Sequence, residues 1–109
     1  TLLDDIRGSH CGLLPEALLP AMLAVQQQRD RRMAERLLAA PTPALLLAGA
    51  FHVRKDLGVP LHLKDLGAAQ GNVVLVLAEA GKTVSAENAD YVWYTAAQPE
   101  QDHCAQLRQ

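Results

Sequence analysis

The sequence predicts an α/β fold with a short, mostly parallel sheet, a βαβ crossover and a long N-terminal helical segment. Three observations predict it. Leu14 to Ala40 is dominated by strong helix formers. Two short continuous apolar runs, Ala44 to Ala48 and Val73 to Ala78, read as strands buried on both faces. The connection between those runs is about two dozen residues and contains a helical stretch, the length a parallel crossover needs. Three strands make a thin sheet with exposed edges. The expectation is one domain fragment over residues 1–109, helical over 1–40 and α/β over 41–109, forming half of a larger α/β unit.

Each element follows from local chemistry. Residues 1 to about 12 form a short segment of mixed polarity that ends at Gly12. Pro15 suits the first turn of a helix. Pro20 falls within the helical span and is expected to kink it, or to split it into a short first piece and a long second one. The second piece carries an apolar line through Leu23, Met33 and Leu37, and stops at Pro41-Thr42-Pro43. The first strand, Ala44 to Ala48, follows. A loop from Gly49 to Lys55 and a tight connection at Asp56 to Pro60 lead to a short helix, Pro60 to Leu66, ended by Gly67. After the second strand, Lys82 to Ala89 is a polar loop. Asp90 to Thr95 sets Tyr91 and Trp93 against Val92 and Tyr94, as a third strand with two unlike faces does. The polar tail carries a short helix around Cys104 to Leu107.

Composition narrows the function classes. The net charge is -2, from 10 basic and 12 acidic residues, so no cationic surface for nucleic acid or an anionic membrane is indicated. The apolar runs fall far short of the roughly 20 residues that span a bilayer. No signal peptide is visible, although the chain begins with Thr1. GxSxG, P-loop and GxGxxG motifs are missing from the sequence, which argues against a serine hydrolase or a nucleotide enzyme. Cys11 and Cys104 fit a disulfide joining the two ends. They fit two buried thiols equally well. Each follows a histidine, which also raises a metal site, without the CxxC or HxxxH spacing that would support zinc.

The residues that carry chemistry lie at the end of the first predicted strand and on the long helix. Ligands of open α/β sheets collect beyond the carboxyl ends of the strands. His52 and Arg54, in Gly49-Ala50-Phe51-His52-Val53-Arg54, occupy that position. Gly49 allows close backbone approach to a bound group, and Arg54 can grip a carboxylate or phosphate with two hydrogen bonds. Asp30 is spaced seven residues from both Leu23 and Leu37, which puts a carboxylate on the apolar helix face. Buried there, it needs a partner such as His52, Arg54 or a backbone donor. Arg29 is its neighbour but points about 100° away. Tyr91 and Tyr94 can supply a phenolate to iron. Lys55, Asp56 and His62 read as surface residues.

Taken together, the motifs resemble a known family. His10-Cys11-Gly12-Leu13-Leu14-Pro15, Gln26-Gln27-Gln28-Arg29-Asp30 with Met33-Ala34, Gly49 to Arg54, Gly58-Val59-Pro60 and Ala89 to Trp93 occur in the order seen in the C-terminal half of the ChaN-like haem-binding lipoproteins. The resemblance covers nearly the whole chain. It implies haem as cofactor, an iron-regulated role in haem acquisition at the bacterial envelope, and dimerisation linked to haem binding. It also implies an outer-membrane lipoprotein or periplasmic location, with an outer-membrane haem receptor as partner and no nucleic acid. His10 becomes a further ligand candidate because its motif matches. Tyrosine or histidine would reach the iron, and Arg54 would meet a propionate. The family is similar to a wider group, including erythromycin esterase-like proteins, that uses two Gly-x-x-His motifs. Gly49 to His52 matches the second, while the first and a lipobox cysteine have no match here and are expected upstream of Thr1. The rival expectation is a hydrolase-like enzyme in which His52 acts as base or metal ligand, with Arg29 and Asp30 in support.

Overall fold

The described residues form a helical half and a small sheet: α1 (Leu2–Ser9), α2 (Leu19–Ala39), α3 (Ala50–Val53), α4 (Val59–Asp65), β1 (Leu75–Glu79) and β2 (Tyr91–Thr95). The computed structural model describes residues 2–68, 70–99, 102, 104 and 105. Helix α1 places Asp4 and Asp5 in its first turn and Arg7 in its last, which suits the helix dipole, and it buries Ile6. Cys11 and Gly12, with φ of 59° and 68°, then reverse the chain. A 3-10 turn at Glu16–Leu18 precedes α2, and Pro20 stands in the first turn of α2, where its missing N–H costs nothing. The expected split at Pro20 is therefore present. Helix α2 ends as Ala40 turns extended, with ψ of 149°, ahead of Pro41.

Two small clusters make the core. Ala34 of α2 packs on Val59 and Leu63 of α4, with Met33, Leu37, Leu46 and Leu66 around them. Val74, Val76 and Ala89 form the second, joined by Val53, Ala78, Val84 and Val92. The expected apolar line on α2 is half-buried at Leu23, Met33 and Leu37, and its fully buried members are Asp30 and Ala34, one turn apart.

The sheet differs from the expectation in one respect. The parallel pair is β1 with β2, in register from Leu75 opposite Tyr91 to Glu79 opposite Thr95. Residues 80–90 join them without a helix. Residues 44–48 are neither helical nor part of a ladder, so the predicted strand and its βαβ crossover to the second run are not formed. The physical reason is pairing. Extended backbone becomes a strand only with a neighbour to exchange hydrogen bonds, and no described residue supplies one to this segment. Nor is the run buried on both faces: Leu46 packs inward while Leu45 and Leu47 are 82% and 85% exposed.

Three ties hold the parts together. Gly58 is buried at the start of α4, where a Cβ would overlap the His52 carbonyl and lie 3.0 Å from that of Arg54. Only glycine lets α4 begin there. Lys55, exposed as expected, donates from Nζ to Asp90 Oδ1 at 2.6 Å, and Asp90 Oδ2 accepts the Val74 N–H at 2.8 Å. These two bonds hold the Asp90 carboxyl well below the usual carboxylate range, the Lys55 bond being the larger effect. Cys11 and Cys104 form a disulfide with a Cα–Cα distance of 5.6 Å across a sequence separation of 93, which selects one of the three cysteine readings. The helix expected around Cys104 to Leu107 lies largely outside the described residues, as does His103. Among the described residues, no helix is long and apolar enough to cross a membrane.

Candidate ligand cleft

A cleft of about 380 Å³ opens between α1, α2 and the residues around α3. Its walls are apolar at Leu2 and Ile6 on α1, at Met22 and Val25 on α2, and at Phe51 on α3. Set among them are His10, Gln26, Arg29 and His52, with Asp5 and Ser9. The mouth is open to solvent, for Phe51 is 49% exposed. An apolar hollow with a few polar groups converging on it is the ordinary form of a small-molecule site.

His52 and Asp30 do converge. His52 Nδ1 lies 2.5 Å from Asp30 Oδ1. The carboxylate is an acceptor only, so the ring donates from Nδ1 and its Nε2 is left for the cleft. The Gln26 amide Nε2 lies 3.2 Å from the same ring nitrogen. Because Nδ1 gives its hydrogen to the carboxylate, that contact becomes a hydrogen bond only with the amide oxygen turned to the ring. Asp30 is 0% exposed, and its Oδ2 has no hydrogen-bond partner. Burial pushes its carboxyl above the usual range; the His52 hydrogen bond and the charges of His52 and His62 oppose this without cancelling it. His62, expected at the surface, is half-buried and close enough for its charge to act on Asp30.

His10 is held in a similar way. Its Nδ1 donates to the Ile6 carbonyl at 2.8 Å, one turn back, with Ser9 Oγ 3.3 Å away. In the neutral ring this contact favours the proton on Nδ1 and leaves Nε2 as the nitrogen that can bind a metal. Arg29 also lines the cleft, and its guanidinium has no partner among the described residues. Arg54 is otherwise engaged. Its Nε and Nη2 donate to Asp56 at 2.9 and 2.6 Å, and its Nη1 donates to Asp5 at 3.0 Å. The Asp56 bonds raise the Arg54 pKa and hold the Asp56 carboxyl low.

Of the seven site residues expected from sequence, His10, Arg29 and His52 line one cleft, with Asp30 directly behind His52. Arg54 stands behind Asp5, a lining residue. Tyr91 and Tyr94 lie on β2 and do not line this cleft. Sequence reasoning missed Met22, Val25 and Asp5. Met22 and Val25 stand three residues apart on α2, a spacing that could have shown a shared face. Among the described residues, no group of three or more His, Cys, Asp or Glu could hold a metal ion. The candidate donors are the single imidazoles of His10 and His52, set in an apolar cleft.

Fold and cleft together define an α/β protein with an apolar cleft in which a few polar groups are set. A family model described as haem-binding uptake, Tiki superfamily, ChaN matches residues 1–63, and the chain belongs to that family. A solved structure described as cofacial heme binding to ChaN of Campylobacter jejuni is similar, with a TM-score of 0.73 and 39% identity. The match covers 84% of this chain and 36% of that one, so the chain spans about a third of the length of its solved relative. No curated protein matches.

Proposed function

We propose that the chain binds haem in the cleft between α1, α2 and α3, as part of a bacterial haem-uptake protein. One observation carries the reading: every residue lining the cleft falls between Leu2 and His52, inside the 1–63 span that the haem-binding family model matches. The residues fit the group. Leu2, Ile6, Met22, Val25 and Phe51 offer apolar cover for a porphyrin face. His10 presents Nε2 as a candidate iron ligand, its other nitrogen tied to Ile6. Arg29 is the cation placed to meet a propionate, in place of Arg54, whose guanidinium is committed to Asp56 and Asp5. Haem when bound supplies an iron centre; the chain's own part is to exclude water from its face, present an imidazole and neutralise its acids. Tyr91 and Tyr94 remain ligand candidates only if haem reaches β2 in a larger assembly.

We extend the proposal to the wider role that the sequence resemblance implies: an envelope protein, periplasmic or anchored at the outer membrane, that works as a homodimer beside a haem receptor. The Cys11–Cys104 disulfide supports an oxidising compartment such as the periplasm.

Haemin titration tests the reading. A saturable Soret shift is expected, weakened about 10-fold or more by His10→Ala, on the scale of losing one metal-ligand interaction. No saturable shift removes the proposal. A second reading rests on the Asp30–His52 contact, which is also how a general base is held. A His52→Ala variant that keeps haem affinity and loses a hydrolytic activity would favour that reading.

A further inference from the structure

We infer that Arg54 sets which ligands the cleft accepts: acting through Asp5, it masks the carboxylate on the cleft wall and so leaves Arg29 free for a ligand's acid group. Arg54 does not itself line the cleft, so it is a positioning residue. The inference rests on the haem reading for its ligand and goes beyond it in saying what admits the acids of that ligand.

Charge on the cleft wall poses the problem. Among the described lining residues, Asp5 is the carboxylate and Arg29 the guanidinium. Asp5 stands in the first turn of α1, where an acid suits the helix dipole. Unmasked, it would repel an anionic ligand and compete with that ligand for Arg29.

Arg54 removes the conflict. Its Nε and Nη2 donate to the two carboxylate oxygens of Asp56 at 2.9 and 2.6 Å, which fixes the plane of the guanidinium. Nη1 of the same plane then reaches Asp5 Oδ2 at 3.0 Å, across 49 residues of sequence. The backbone supports that aim. The Gly58 N–H donates to the Arg54 carbonyl at 2.9 Å, at a corner where a Cβ would not fit. The Arg54 and Asp5 side chains are 23% and 26% exposed, so salt and water screen the pair only in part. Arg29, by contrast, is exposed and has no partner among the described residues.

Titration of the Soret band with haemin and with haemin dimethyl ester, the same ring without free acids, tests this. Arg54→Gln should weaken haemin binding by about 10-fold, on the scale of one uncompensated charge at a partly buried site, and leave ester binding unchanged. Adding Asp5→Asn to that variant should restore haemin affinity, because the carboxylate that needed masking is gone. Asp5→Asn alone should bind haemin at least as tightly as the unaltered chain, which decides the matter if Arg54→Gln does not fold. A role for Arg54 as a mere clamp on α1 gives other results: both ligands weaken equally, the second substitution rescues nothing, and Asp5→Asn alone weakens both. Any of these, or a haemin affinity unmoved by Arg54→Gln, overturns the inference and leaves the haem reading standing. An unaltered chain that binds neither ligand removes the haem reading and the inference with it.

Discussion

Asp30 concentrates the strain between stability and function in one side chain. It is fully buried, accepts the His52 Nδ1–H at Oδ1, and has no partner for Oδ2. Replacing it by alanine leaves a hole and removes the acceptor that orients His52. A loss of about 2–4 kcal/mol is expected in urea denaturation, the range for breaking a buried polar pair. Asparagine keeps the shape and an oxygen acceptor, so Asp30→Asn should cost less. The two also differ in pH dependence. The folded-state pKa of Asp30 lies above the ordinary value of 3.8, so the folded protein holds that proton more tightly than the unfolded chain. Its favourable contribution is complete below 3.8 and is lost as pH rises through the raised value. Stability measured across that window should therefore move in favour of Asp30→Asn as pH climbs; a parallel pH profile for the two proteins would show that Asp30 does not titrate there. The convergence of Asp30 and His52 was legible in sequence, because the seven-residue spacing placed a carboxylate on the apolar face and its burial demanded a partner. His62 was not legible, because a histidine on a short helix gives no sign of which side faces inward.

At the scale of elements, backbone fit and backbone pairing decide what forms. The α3–α4 corner is decided by fit, since a Cβ at Gly58 would strike the His52 carbonyl and crowd that of Arg54. Backbone atoms cannot move aside as a flexible side chain does, so Gly58→Ala must displace α4 or the turn that carries His52 and Arg54. A loss of about 2–4 kcal/mol is expected, at the severe end for single substitutions, with weaker ligand binding because His52 shifts with the corner. Thermal melting followed by circular dichroism checks the first effect and haemin titration the second. A glycine tolerant of alanine would mean the corner is looser than its packing indicates. The break before α2 and α2 itself were readable from proline placement and helix-forming residues, and α4 from its glycine boundary, because these signals act within a few residues. The run at 44–48 was read as a strand, and it belongs to no ladder. Whether an extended run pairs depends on a neighbour distant in sequence, and here that neighbour is β2 for the second run and no described residue for the first.

The whole molecule is held by two small clusters and one covalent closure. Among the described residues neither cluster has more than three buried members, so packing alone is modest. The Cys11–Cys104 bond ties the turn after α1 to the C-terminal segment across a separation of 93 residues. In the chain-entropy account a loop of that size restricts the unfolded state by about 4–5 kcal/mol, and measured gains commonly fall nearer 2–4. Against the 5–15 kcal/mol that holds a typical domain together, this is a large share. The closure also bears on the cleft, because His10 precedes Cys11 directly, and the Ile6 carbonyl that fixes its ring lies in the helix this turn terminates. Cys104→Ser, or reduction of the native protein, should lower the melting temperature by about 10–20 °C for a chain of this length. The double variant Cys11→Ser/Cys104→Ser should match the single one, since either change alone opens the loop. Helices α2 and α4 should keep their far-ultraviolet signal below the new midpoint, because their shared cluster lies outside the closure's immediate contacts. A melting temperature unmoved by reduction would mean that packing, and not the covalent link, holds the two ends together.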